Sequence, residues 1–99
     1  MSELSDDQKK QLIQGYLQQF ALDAYGHSMN RHVAVEQNNV SAVYKADLAL
    51  YDIQVATITY QRELDILNGL EPDPIVLPDP PVDPNPPESF LGPLPSQPN

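Results

Sequence analysis

All eleven prolines of this 99-residue chain fall between Pro72 and Pro98. Proline has no amide donor, fixes its own φ and pushes the preceding residue toward extended backbone. Where prolines are this dense, neither a helix nor a central strand can form. The chain therefore divides into a proline-free body, residues 1–69, and a proline-rich tail, residues 70–99. The tail is expected to be polyproline II or irregular extended chain, which leaves only the body to build a core. A body of that size buries only ~60% of its unfolded surface, and small scaffolds usually need disulfides, a metal or association. The chain has no cysteine, so disulfides and cysteine-type zinc sites are excluded. Association is the expected remedy.

The body reads as helix. Ser5-Asp6-Asp7-Gln8 fits a capping box, with serine at the N-cap and glutamine three residues on. Asp6 and Asp7 stand where the helix dipole favours negative charge. Leu12, Ile13, Tyr16, Leu17, Phe20 and Ala24 then recur on one helical face, and Gly26 offers a stop. This predicts a helix over residues 5–25. The next stretch is ambiguous: Ser28 can cap a helix from Met29, Asn38-Asn39 can break the chain with Asn39 or Ser41 capping a later start, and Val33-Ala34-Val35 can form a brief strand. The favoured reading is a long second helix over residues 29–68, kinked, if at all, near Asn39. The fold class is mainly α, a helical hairpin with an extended C-terminal arm.

The second helix carries two apolar stripes. Val43, Ala46, Leu50, Ile53, Thr57, Tyr60, Leu64 and Leu67 alternate steps of three and four, an a/d heptad seam. Beside it run Tyr44, Leu48, Tyr51, Val55 and Ile58 and, beyond Arg62, Ile66. At ~100° per residue the two stripes lie on opposite flanks. Gly69 is the expected left-handed cap, with Leu70 placed to fold back on Leu64. The first helix can cover one flank. The other is expected to meet a second copy or a larger protein, because a soluble monomer rarely leaves so many large apolar side chains wet. The competing expectation is that residues 28–40 fold back over it.

The tail has five acids and no base, and apolar beads punctuate it at Ile75-Val76-Leu77, Val82, Phe90-Leu91 and Leu94. A pure spacer would not need them, and the competing expectation is a disordered solubilising tail. They are the candidate anchors of an arm that docks on neighbouring subunits, since a stiff polyproline segment binds at low ordering cost. The Pro-x-x-Pro matches between Pro78 and Pro87 lack the flanking Arg or Lys usual in ligands of Src-homology-3 domains.

No chemistry-bearing motif accompanies this architecture. His27 and His32 fall on different helix faces, the tail acids are split by prolines that prevent a calcium loop from wrapping, and no glycine-rich phosphate loop is present. No serine has a base at diagnostic spacing. No catalytic residue, cofactor or metal is assigned, and the chain is not expected to be an enzyme. The net charge is −9, with Lys9, Lys10, Arg31, Lys45 and Arg62 scattered. This disfavours direct contact with nucleic acid or an anionic membrane. No apolar run approaches a membrane span, and Met1 to Asp7 reads as neither signal nor transit peptide. The expected setting is cytoplasmic synthesis. The expected function is that of a non-enzymatic structural or assembly protein in a multi-copy complex, of the helix-plus-arm build common among minor components of bacteriophage capsids and tails. The alternative is a small acidic regulatory binder or inhibitor. Against it, the tail holds five of the excess acids and leaves −4 on the body, whereas a charge mimic should concentrate acid on a rigid face.

Overall fold

The computed structural model describes residues 3–84. They form two helices, α1 over Asp6–Glu36 and α2 over Val40–Leu67, packed antiparallel as a hairpin, followed by a segment with neither helix nor strand. At ~1.5 Å per residue, the helices run about 46 and 42 Å.

The start of α1 is the expected capping box. The Ser5 hydroxyl accepts from the Gln8 amide at 3.1 Å, and the Ser5 amide donates to the Gln8 side chain at 2.8 Å. The end of α1 is elsewhere than Gly26. The helix passes through Gly26 and stops at Glu36, and the break falls at residues 37–39. The physical reason is that an interior glycine costs only ~1 kcal/mol, while a stop needs a residue that will enter the left-handed region. Asn38 does so, at φ 56°. Its amide donates to the Val35 carbonyl and that of Asn39 to the Ala34 carbonyl, the two bonds of a Schellman motif. Asn39 then caps α2, its side chain accepting from the Ala42 amide at 3.1 Å. Residues 28–36 are therefore helical and continuous with α1. They neither form a strand nor fold over the second flank.

The same motif closes α2. Gly69 takes φ 81°, its amide donates to Ile66, and the Leu70 amide donates to Asp65 at 2.9 Å. The main chain folds back as expected, although the Leu70 side chain stays exposed.

The a/d seam of α2 faces α1. Leu50, Ile53 and Thr57 share a hollow with Leu17, Phe20, Ala21 and Ala24. Tyr60 meets the rings of both Tyr16 and Phe20 edge-on, with centroids 5.5 and 5.2 Å apart. Thr57 is tolerated in this seam because its hydroxyl donates to the Ile53 carbonyl at 2.8 Å. Toward the turn, Arg31 reaches across to Asp47 at 2.6 Å. Among the described residues only Ala34, Ala46 and Leu64 are buried, and no side chain is fully enclosed.

Candidate functional site: apolar surfaces of the hairpin

With two helices and no third layer, the functional surfaces are those that the hairpin leaves open. The first seam is consumed internally. Leu50, Ile53, Tyr60, Leu64 and Leu67 are half-buried or buried, and Val43 lies in a hollow by the turn with Ala34 and Val35. The partner seam on α1 is itself a heptad: Ile13, Leu17, Phe20, Ala24, His27, Arg31 and Ala34. Its upper half is polar. Half-buried His27 lies beside Ala42, Ala46 and Ala49 of α2, where three small side chains make room for the ring. His27 is therefore a seam residue and not a free surface group.

The second flank of α2 is partly covered by the chain itself. Residues 72–76 share a hollow with Thr57, Ile58, Gln61, Arg62 and Asp65, and Val82 and Pro84 share one with Val40, Val43, Tyr44 and Asp47. The segment thus runs back along α2, antiparallel to it. The lengths agree: eight residues from Pro74 to Val82 at ~3.1 Å span about 25 Å, and the eighteen helical steps from Arg62 to Tyr44 at ~1.5 Å span about 27 Å. Half-buried Pro72, Pro78 and Pro81 repeat in multiples of three, the period of polyproline II. Tyr44, Tyr51, Val55 and Ile58 are half-buried, while Leu48 and Ile66, farther round the helix, stay exposed. Arg62 lies in the same hollow as Asp65 and Asp73, and its Nε is enclosed without a hydrogen-bond partner.

The candidate arm anchors only edge these hollows, Ile75 and Val76 the first and Val82 the second. Val76 is 81% and Val82 85% exposed, and Ile75 and Leu77 are also exposed. Phe90, Leu91 and Leu94 lie outside the described residues.

One surface was not read from the sequence. On the side of α1 opposite its seam, Leu22, Tyr25, Met29 and Val33 line up at steps of three, four and four, exposed by 62%, 68%, 45% and 46%. Gly26 lies beside them with open space where a Cβ would be. The signal was present: a helix read through Gly26 brings these four onto one stripe. A helix stopped at Gly26 leaves Met29 and Val33 in another element.

Among the described residues no group of three or more His, Cys, Asp or Glu could hold a metal, and no helix is long and apolar enough to cross a membrane. The fold and surfaces define an antiparallel two-helix hairpin with a strap of its own chain laid along one helix. Comparison with known protein families, characterised sequences and solved structures gives no match to this chain.

Proposed function

We propose that this chain is a non-enzymatic structural or assembly protein that works in multiple copies, its helical body in a larger complex and its proline-rich arm docking on neighbouring subunits. The observation that carries the reading is the open core. Sixteen large apolar side chains are exposed among the described residues, and none is fully enclosed. A hairpin this thin gains little from its own packing, so surface buried against other chains must supply much of its stability. Exposed Val76 and Val82 on a stiff segment suit lacing onto a neighbour, and many weak arm contacts in parallel give high avidity. Small helix-plus-arm proteins of this build serve as minor virion components, and a bacteriophage capsid or tail is the setting proposed.

The test is the mass of the native full-length protein by light scattering and native mass spectrometry. A defined multiple of the chain mass, or a stable complex with a larger structural protein, is expected. A clean monomer at about 100 µM, well above the micromolar range where weak specific contacts form, would remove the reading.

A further inference from the structure

We infer that copies of this chain associate side by side, the outer stripe of α1 on one copy packing against the outer stripe of α2 on the next, in the same antiparallel register that joins α1 to α2 within each copy. The inference rests on the multi-copy reading above and adds the surface, the partner and the geometry.

The register follows from the hairpin. Arg31 stands opposite Asp47, and Phe20 opposite Tyr60. Each step along α1 toward the turn is therefore matched by one step along α2 away from it. Carried to the outer surfaces, this places Val33 level with Tyr44, Met29 level with Leu48, and Leu22 level with Val55. The two stripes lie on opposite edges of the hairpin, and the α1 stripe stands level with residues 44–55 of the longer α2 stripe. A second copy, translated sideways without axial shift, brings α2 of one chain antiparallel to α1 of the next with these three pairs in contact.

The stripes complement each other in relief as well as in level. The α1 stripe stands proud, with Tyr25 the most exposed of its members. The α2 stripe is lower, with Tyr44, Tyr51 and Val55 half-buried and Leu48 exposed. The covering segment takes one margin of it, where Tyr44 and Ile58 line its hollows. Asp47, Gln61 and Asp65, which border that segment, lie about a quarter-turn round α2 from Leu48 and Val55 at ~100° per residue.

The area suffices. The four α1 side chains offer on the order of 400 Å2 of apolar surface, the scale of the largest patch on a typical monomer. With the facing stripe and its polar borders, each contact buries roughly 1,200 Å2 in total, the threshold of a specific interface. Each copy makes the contact twice, once on each edge. Because the two edges differ, the contact is heterologous: pure sideways translation repeats it as an open row, and it generates a ring only where a rotation is added and closes.

The absence of cysteine in the chain makes a direct test available. Full-length protein carrying both Met29→Cys and Leu48→Cys is treated with a short bismaleimide. A ladder of covalent oligomers is expected, while each single variant alone stays uncrosslinked and a mixture of the two stops at dimers. Leu22→Asp, at an exposed helix position, should keep far-UV helicity and weaken self-association about 30-fold or more, because it sets an unpaired carboxylate in the apolar contact. Dimers from the Met29→Cys variant alone would overturn the inference in favour of a two-fold contact of α1 with α1. A defined oligomer that gives no ladder, or that survives Leu22→Asp, would mean that another surface or another protein covers these edges; the multi-copy reading would stand and this inference would fall. A monomer at about 100 µM would remove both.

Discussion

Asn38 is the non-glycine residue of the described chain that takes a positive φ, at 56°, and the hairpin turns on it. Left-handed backbone costs an ordinary residue about 1–2 kcal/mol, and asparagine tolerates it best. Asn38→Ala is therefore expected to destabilise the hairpin by about 1 kcal/mol, whereas Asn38→Gly should be neutral or slightly stabilising. Thermal melts at one fixed protein concentration would read the difference, because self-association makes the midpoint depend on concentration. Gly26 has the opposite character: it sits in ordinary helix with nothing within 4 Å of a built Cβ. Gly26→Ala should stabilise the isolated hairpin by about 1 kcal/mol, and a loss of melting temperature would show that something else approaches that backbone closely. The helix start was legible in Ser5 and Gln8 because a capping box is a local device whose partners are close in sequence. The helix end was not. Gly26 and Asn38 both qualify as left-handed caps, and only packing against Ala42, Ala46 and Ala49 favours continuing past the first.

At the scale of the element, the seam of α2 was legible because nearly every position in it is apolar. Its counterpart on α1 was legible only as far as Ala24. Beyond that point His27 and Arg31 hold the seam positions, made possible by three alanines on the facing helix and by Asp47. The outer stripe of α1 further obscured the pattern, since apolar residues on both faces of a helix cancel its periodicity. The Arg31–Asp47 pair is about half exposed, so Arg31→Ala should cost no more than about 1 kcal/mol, before any change in packing. Leu50→Asp and Ile53→Asp act differently. Both residues line the hollow shared with Leu17, Phe20 and Ala24, so either change sets an unpaired carboxylate between the helices, at a cost of several kcal/mol. The expected result is loss of far-UV helicity and of association together. Retained helicity would mean that α1 and α2 do not need each other. Leu22→Asp on the outer stripe is expected to separate the two effects, keeping helicity and losing association, and that contrast distinguishes the internal seam from the external edge.

At the scale of the molecule, the two lateral edges and the strap point in different directions. The strap lies over the border between the seam and the second flank of α2, and its most exposed apolar side chains, Val76 and Val82, stand largely in the open at the rims of its two hollows. A side-by-side assembly would therefore carry its straps on one face and leave that face to meet a larger structure. Replacing these two valines with aspartate removes no buried contact from the hairpin, and surface changes of this kind stay within about 0.5 kcal/mol. Val76→Asp combined with Val82→Asp is accordingly expected to leave the melting temperature and the self-assembled mass unchanged, while reducing co-sedimentation with the larger structure proposed as the arm's partner. Removing residues 71–99 goes further. The truncated chain should keep the helicity of α1 and α2, whose caps are complete by Leu70, and should still form the Met29–Leu48 crosslinked ladder, because neither edge stripe includes the strap. It should also bind more hydrophobic dye, since Tyr44 and Ile58 lose their cover. If truncation abolished the ladder, the strap would be a component of the lateral contact. If attachment to the larger structure survived both the truncation and the double substitution, the exposed valines would have no docking role, and the face of the assembly that they mark would have to be sought elsewhere.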